Sequence, residues 1–166
     1  DLWSWSVHDK NQFWESIWEF CGVIGILNKP IFEKNNIFIN NTFLKNSKIN
    51  FTENIIRYSN TKKSISYYSE QGHERHYSWS DLQKSVDKVS TYLISQNVKE
   101  KDRIVGVLPN MPETIISFLA VAKIGAIWSS CSTDFGYQAI IERFEQINPK
   151  ILFISDCYFY NNKKFN

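Results

Sequence analysis

Residues 103–155 read RIVGVLPNMPETIISFLAVAKIGAIWSSCSTDFGYQAIIERFEQINPKILFIS, and this stretch decides the fold. Nearly continuous apolar runs at 103–108, 126–131 and 151–155 are typical of strands, and apolar residues at helical spacing occupy the segments between them. The order is therefore strand, helix, strand, helix, strand. Short connections between such strands predict an α/β fold with a parallel sheet, right-handed crossovers and helices on both faces.

The two helices of this β-α-β-α-β unit carry their own start and stop signals. Pro112 is expected in the first turn of the first helix, where a missing N–H group has no cost. Gly125 lies just past the end of that helix and suits a left-handed cap. The second helix is predicted over about residues 136–147 and is closed by Asn148 and Pro149.

Before this unit the sequence predicts a β-hairpin and a long amphipathic helix. Residues 64–69 and 74–78 favour strands and are joined by a glycine-containing turn. Ser78 followed by Asp81 is the pattern of a helix cap, and the helix is expected to end near Gln96. Its apolar residues at helical spacing are Leu82, Val86, Val89, Leu93 and Ile94.

The amino-terminal third has weaker patterns. An amphipathic helix is predicted over about residues 9–27, with Asp9 as its capping residue. Residues 28–50 are rich in asparagine and lysine without a clear period, which predicts an extended, irregular connector. Thr52 is then expected to cap a short helix that buries the isoleucine pair at 55–56.

Composition and charge exclude several kinds of partner. The chain carries 19 basic and 17 acidic side chains, for a net charge of +2, and it has no basic stripe, so nucleic acid is not an expected partner. No apolar stretch of about 18 residues predicts a membrane span. Three widely spaced cysteines suit a reducing compartment, and we expect a cytoplasmic protein. None of the six glycines falls in dinucleotide-binding or P-loop spacing.

Small hydroxyl residues around the end of the predicted strand at 126–131 mark a candidate ligand site. Ligands of open α/β sheets sit beyond the carboxyl ends of the strands, and small side chains let a ligand approach the backbone. Cys131 could be a nucleophile or a small packed side chain, and packing is favoured because no histidine is near it in sequence. Asp134 could bind a ligand amine or cap the next helix, and the cap is favoured. The hydroxyl residues are Ser129, Ser130, Ser132 and Thr133.

Two further groups of polar residues could be either solvent-exposed surface residues or ligand-binding residues. Lys163 and Lys164 follow the last predicted strand, where they could meet a phosphate, although a solvated tail is the favoured interpretation. His73 and His76 lie in the predicted hairpin without a cysteine or carboxylate cluster that would complete a metal site, so they are interpreted as surface residues.

Several segments together resemble the amino-terminal part of the acetoacetate–CoA ligases, a family of the adenylate-forming acyl-CoA synthetase superfamily. The segment 128–136 resembles the family's Trp-Ser-Ser-Cys-Ser-Pro-Asp-Phe-Gly, with Thr133 in place of the proline. Threonine there loosens the loop backbone and adds a hydroxyl. The resemblance extends to the tryptophan-rich start and to the segments 49–54, 78–82, 102–113 and 143–150.

The resemblance implies both an architecture and an activity. Residues 1–60 would form the family's amino-terminal extension, and residues 61–166 the start of a truncated AMP-binding domain with an incomplete fold. The full-length enzyme would use ATP and Mg²⁺ to join AMP to acetoacetate, and then pass the acyl group to CoA. The phosphate loop and the catalytic lysine of the family have no counterpart in the chain, which implies that the chain alone is inactive and supplies no catalytic or metal-binding residue.

The resemblance also implies a CoA site. Ser132, Thr133, Asp134, Phe135 and Gly136 would lie along the path of the CoA pantetheine arm. A basic residue after the next strand, Lys163, would approach a phosphate of the CoA nucleotide. Two alternatives stay open at this point. One is a ligase of the same superfamily for another short or medium acyl chain, and the other is a non-catalytic interaction module whose aromatic amino-terminal face docks a partner.

Overall fold

The computed structural model describes residues 1–57 and 62–165, which divide into two compact units. The first unit comprises residues 1–50 and the second begins at Phe51. The predicted domain boundary between residues 60 and 61 lies outside the described residues.

The first unit consists of two helices and two small antiparallel pairs of strands. The pairs are β1 with β4 and β2 with β3, and a single turn of 3₁₀ helix occupies Phe38–Asn40. The predicted connector over 28–50 therefore has more regular structure than expected. The elements are α1 (Leu2–His8), α2 (Lys10–Phe20), β1 (Gly25–Ile26), β2 (Phe32–Glu33), β3 (Thr42–Phe43) and β4 (Lys48–Ile49).

Asp9 caps α2 as predicted, because its carboxylate accepts a hydrogen bond from the Gln12 backbone N–H at 3.0 Å. The predicted extension of this helix to residue 27 is wrong. The helix ends at Phe20, and Gly22 then adopts a left-handed φ of 56° that turns the chain toward β1. The sequence interpretation also missed α1, which is capped by Asp1.

The second unit contains the parallel sheet. Its elements are α3 (Phe51–Ile56), β5 (Lys63–Tyr68), β6 (Glu74–Ser78), α4 (Trp79–Ser95), β7 (Arg103–Val107), α5 (Pro112–Lys123), β8 (Ile127–Cys131), α6 (Tyr137–Glu145), β9 (Ile151–Ile154), β10 (Tyr158–Tyr160) and β11 (Lys163–Phe165). The predicted hairpin is β5 paired with β6, and a second hairpin, β10 paired with β11, follows the sheet.

The predicted β-α-β-α-β unit is confirmed as a three-stranded parallel sheet in the order β8-β7-β9. β7 is central, and its inner residues are almost fully buried. On one face, α4 and α5 contribute a core that contains Leu93 and Ala120, both 0% exposed, beside Ile104. On the other face, Phe144 of α6 packs with Val105 and Val107. Helices therefore cover both faces of the sheet, as expected for parallel strands.

The local signals for helix ends are also confirmed. Ser78 and Asp81 form a capping box at the start of α4, and the hydrogen bonds from Ser78 lower the pKa of the Asp81 carboxyl. Pro112 is the first residue of α5, and Gly125 has a left-handed φ of 73° just beyond that helix. Each of these signals depends on residues within about four positions of one another.

The predicted cap at Thr52 is wrong. α3 begins at Phe51, so Thr52 lies inside the helix, where it is 0% exposed. Its hydroxyl donates a hydrogen bond to the backbone carbonyl of Leu119 in α5 at 2.7 Å. Ile56 is buried as expected, whereas Ile55 is 38% exposed. The hydroxyl of Thr52 thus joins two helices that are distant in the sequence.

We expect Thr52→Val to lower the free energy of unfolding by about 1 kcal/mol, because valine keeps the volume and removes the buried hydrogen bond to Leu119. Urea denaturation monitored by circular dichroism would measure the change. Thr91→Val, at an exposed position of α4, is the matched control and should have a much smaller effect. Equal stability of the Thr52 variant and the unmodified chain would contradict this prediction.

Candidate functional site at the carboxyl edge of the sheet

Three connections meet at one edge of the parallel sheet. Because β8, β7 and β9 run parallel, the segments that follow them, 132–136, 108–111 and 155–157, leave the sheet at the same end. This edge is where open α/β sheets bind their ligands. The loop predicted as the ligand site is one of the three segments.

The loop 132–136 is largely exposed, with only Thr133 partly buried. The Asp134 N–H lies 3.5 Å from the Ser132 hydroxyl oxygen, and the Phe135 N–H donates to the Ser132 carbonyl at 3.4 Å. Gly136 is the residue that precedes α6, and a Cβ atom added there would meet nothing within 4 Å. The backbone at the end of the loop is therefore open to an approaching molecule.

Asp134 does not cap α6. Gly136 occupies the N-cap position, and no side chain accepts a hydrogen bond from the first turn of this helix. The favoured interpretation of Asp134 as a cap is therefore wrong, since the helix begins two residues further on than a cap at Asp134 would allow. Its carboxylate is on an exposed residue of the loop.

Phe135 ties the loop to the following helix. The guanidinium carbon of Arg143 lies 4.9 Å from the centre of the Phe135 ring, which is the geometry of a cation–π contact. Arg143 is in the last turn of α6, so the contact spans the length of the helix. This contact restricts the loop at its carboxyl-terminal end.

Cys131 is the last residue of β8 and is partly buried against the cluster of Val105, Val107 and Phe144. Burial raises the pKa of its thiol above the ordinary value, and the nearby positive charge of Arg143 opposes that shift only in part. A raised pKa leaves less thiolate at neutral pH, and thiolate is the nucleophilic form. These observations support the interpretation of Cys131 as a packed side chain.

A cavity of about 660 Å³ lies beside the other two connections. Its walls are the β5–β6 hairpin, the turn at 109–111 and the segment 155–159. Tyr67 and Tyr158 are among its lining residues. The sequence did not predict this cavity. The hairpin and the sheet edge are more than 30 residues apart in the chain, and no local sequence pattern predicts a contact between them.

A bidentate ion pair holds the hairpin at this edge. Both terminal nitrogens of Arg75 in β6 contact the carboxylate of Glu113 in α5, at 2.5 and 2.9 Å. The hydrogen bonds from Arg75 lower the pKa of the Glu113 carboxyl, and Arg75 also stacks over the Tyr67 ring at 5.0 Å. The pair therefore fixes one wall of the cavity relative to the start of α5.

Lys163 lies in a hairpin and not in an irregular tail, although its side chain is solvated as the favoured interpretation expected. It is the first residue of β11, opposite Tyr160 in β10, and its side chain is exposed. The stacked rings of Tyr158 and Phe165, with centres 5.2 Å apart, close the other end of this hairpin. Lys163 is thus at the turn end of a hairpin whose first strand, β10, begins four residues after β9 ends.

His73 and His76 are exposed, as predicted. The His76 ring contacts the Glu74 carboxylate, and its Nδ1 atom lies 3.1 Å from the Ser66 hydroxyl oxygen. Within residues 1–57 and 62–165, no group of three histidine, cysteine or carboxylate side chains is arranged to hold a metal ion. In the same part of the chain, no helix is long and apolar enough to cross a membrane.

The fold and the site define a class of protein. Residues 53–165 match the AMP-binding enzyme family, and the chain belongs to this family. It is similar over 96% of its length to the acetoacetyl-coenzyme A synthetase of Rhizobium meliloti (strain 1021), with 36% identity, and over 99% to that of Rattus norvegicus, with 32% identity. Among solved structures, the acetoacetyl-CoA synthetase from Streptomyces lividans matches 98% of the chain with a TM-score of 0.90 and 26% identity.

These proteins are all much longer than the chain. The chain spans 25% of the length of the curated relatives from Rhizobium meliloti and Rattus norvegicus, and 26% of the Streptomyces lividans structure. The similarity therefore places the 166 residues within one part of a larger enzyme architecture.

Proposed function

We propose that the protein encoded by the complete reading frame is an acetoacetate–CoA ligase. ATP and acetoacetate would form acetoacetyl-adenylate and pyrophosphate, and the thiol of CoA would then displace AMP to give acetoacetyl-CoA. The observation that carries this proposal is the similarity of almost the whole chain to proteins named acetoacetyl-CoA synthetase, at 32% to 36% identity, together with the TM-score of 0.90.

We place CoA at the carboxyl edge of the sheet. The segment from Ser132 to Gly136 would lie along the pantetheine arm, and the open space over the Gly136 backbone is compatible with a close approach. Lys163 would meet a phosphate of the nucleotide. Among the described residues, no carboxylate lies within 4.0 Å of its ammonium group, so the charge is available to an anion.

We assign no residue of the chain to ATP, to Mg²⁺ or to catalysis. Mg²⁺ is commonly bound by one or two carboxylates together with substrate phosphates, and the described residues contain no group of three histidine, cysteine or carboxylate side chains arranged to hold a metal ion. When bound, Mg²⁺ would neutralise the phosphates of ATP in the first half-reaction. We expect the 166 residues alone to be inactive, because the phosphate loop and the catalytic lysine of the family have no counterpart among them. A cytoplasmic location is part of the same proposal.

Acetoacetate-dependent release of pyrophosphate, measured with the protein from the complete reading frame, tests this function. We expect release with acetoacetate, ATP and Mg²⁺, and formation of acetoacetyl-CoA once CoA is added. The chain of 166 residues is the matched control and should give no release. Release with acetate or butyrate but not with acetoacetate would instead identify a ligase for another short acyl chain.

A further inference from the structure

The tips of two hairpins in the second unit are joined by one hydrogen bond. The Glu70 carboxylate, in the turn between β5 and β6, accepts a hydrogen bond from the backbone N–H of Asn162 at 3.1 Å. Asn162 lies in the turn between β10 and β11, directly before Lys163. Glu70 and Asn162 are 92 positions apart in the sequence. The hydrogen bond therefore holds the backbone directly before Lys163 against a distant hairpin.

The turn that Glu70 contacts has the left-handed backbone that two-residue hairpin turns favour. Asn161 and Asn162 have left-handed φ values of 50° and 58°, which asparagine tolerates better than most residues do. Asn162 is exposed, so water could satisfy its N–H group without Glu70. The bond thus selects a position for the β10–β11 turn, and it is not needed to satisfy a buried donor.

Glu70 is supported by a fixed hairpin. The Ser69 N–H donates to the His73 carbonyl at 2.9 Å, and the Gly72 N–H donates to the Ser69 carbonyl at 3.0 Å. The body of the hairpin is anchored to α5 by the bidentate pair of Arg75 and Glu113 described above. A carboxylate on such a support can restrict the β10–β11 turn, whereas one on a loose loop could not.

The negative charge of Glu70 and its hydrogen bond to Asn162 should have opposite effects on phosphate binding at Lys163, so the two can be tested separately. A carboxylate close to a phosphate-binding lysine repels phosphate, so its charge alone would weaken binding. Its effect as a hydrogen-bond acceptor has the opposite sign, because it holds the lysine-bearing turn in one place. The two effects can be separated by glutamine, which keeps an acceptor oxygen and loses the charge.

We propose that Glu70 is a positioning residue for CoA: by accepting the Asn162 N–H, it places Lys163 against a phosphate of the CoA nucleotide. This inference rests on the proposed function, in which Lys163 meets that phosphate. Glu70 does not touch the reacting atoms, and it acts on the affinity for the nucleotide part of CoA alone.

Steady-state kinetics of the protein from the complete reading frame test the proposal, with CoA and pantetheine as alternative acceptors. Pantetheine carries the thiol but none of the nucleotide phosphates. We expect Lys163→Ala to raise KM for CoA about tenfold, as for a lost hydrogen bond to a charged group. Glu70→Ala should raise KM for CoA about three- to tenfold with kcat unchanged, because misplacement weakens the contact without abolishing it. Neither variant should change KM for pantetheine.

Two comparisons separate positioning from other effects. Glu70→Gln should have a KM for CoA equal to or below that of the unmodified protein, and Gln71→Ala, in the same turn, should have no effect. In a double-mutant cycle, Glu70→Ala should add little to Lys163→Ala, since both remove one contact.

Other results would overturn the proposal in distinguishable ways. If Glu70→Ala leaves or lowers KM for CoA, or if Glu70→Gln raises it equally, Glu70 does not position Lys163. Additive effects in the cycle would also overturn it. If Lys163→Ala leaves KM for CoA unchanged, the assignment of Lys163 to the phosphate is wrong. Absence of acetoacetate-dependent activity in the unmodified protein would instead refute the proposed function.

Discussion

Leu93→Ala is expected to lower the free energy of unfolding by about 2–5 kcal/mol, as for other buried leucine truncations. Leu93 lies in α4 and is 0% exposed, in the core that joins α4 and α5 to the parallel sheet. Truncation removes apolar burial and leaves a cavity, and Val86 and Ala120, also 0% exposed in this core, restrict its collapse. Urea denaturation monitored by circular dichroism would measure the loss.

The adjacent residue is a matched control. Ile94 is in the same helix and is 60% exposed, so Ile94→Ala removes an aliphatic side chain of the same size from the surface. We expect that variant to stay within about 0.5 kcal/mol of the unmodified chain. If both truncations had the same effect, the burial of Leu93 would not be the source of the stabilisation.

Gly106→Ala is expected to be the second most damaging substitution, with a loss of about 1–3 kcal/mol from overpacking. Gly106 is buried in the central strand β7, and a Cβ atom there would lie 2.6 Å and 2.7 Å from two ring carbons of Trp128. The indole ring of Trp128 occupies the space that a side chain at position 106 would need, and it also lies beside Phe153 of β9, with ring centres 6.1 Å apart. Alanine must therefore displace the ring or the strand.

Gly136→Ala provides the comparison for the effect of a methyl group without overlap. A Cβ atom at Gly136 meets nothing within 4 Å, and its φ of −62° suits any residue. Its expected loss of stability is at most about 1 kcal/mol, because alanine is a poorer N-cap than glycine, and none of that loss comes from steric overlap. A small loss at Gly106 as well would show that Trp128 moves without resistance.

Local signals in the sequence were reliable where the responsible atoms are close along the chain. The capping box of Ser78 and Asp81, the position of Pro112 in α5 and the left-handed Gly125 were all predicted and confirmed. Each depends on backbone groups of one helix end, which a short stretch of sequence contains completely. The same applies to the apolar strands, because burial on both faces leaves a continuous apolar run.

The errors at Thr52 and Asp134 have a different cause. Thr52 has the residue type of a cap, but its hydroxyl bonds Leu119, 67 positions away. Asp134 has the right type and approximate place for a cap, but the conformation at Gly136 moved the start of α6. Both residue types have two uses, as caps and as partners of distant backbone groups, and the choice between them depends on packing.

The candidate site combines both kinds of information. The sequence segment 128–136 predicted the loop at the end of β8, since small hydroxyl residues and a glycine follow an apolar strand. It could not predict the cavity beside β7 and β9, whose walls come from a hairpin more than 30 residues earlier. Nor did it predict that Lys163 belongs to a hairpin, or that Glu70 contacts its turn.

By itself, the sequence determined the order of strands and helices from β5 to β9 and the parallel character of the sheet, because periodicity and end signals act over a few residues. Only the tertiary structure decided that β7 is the central strand, that Thr52 links α3 to α5, and that Glu70 meets the turn before Lys163. These features are contacts between residues far apart in the chain. They are selected by the packing of the whole second unit, and no local pattern of residues encodes them.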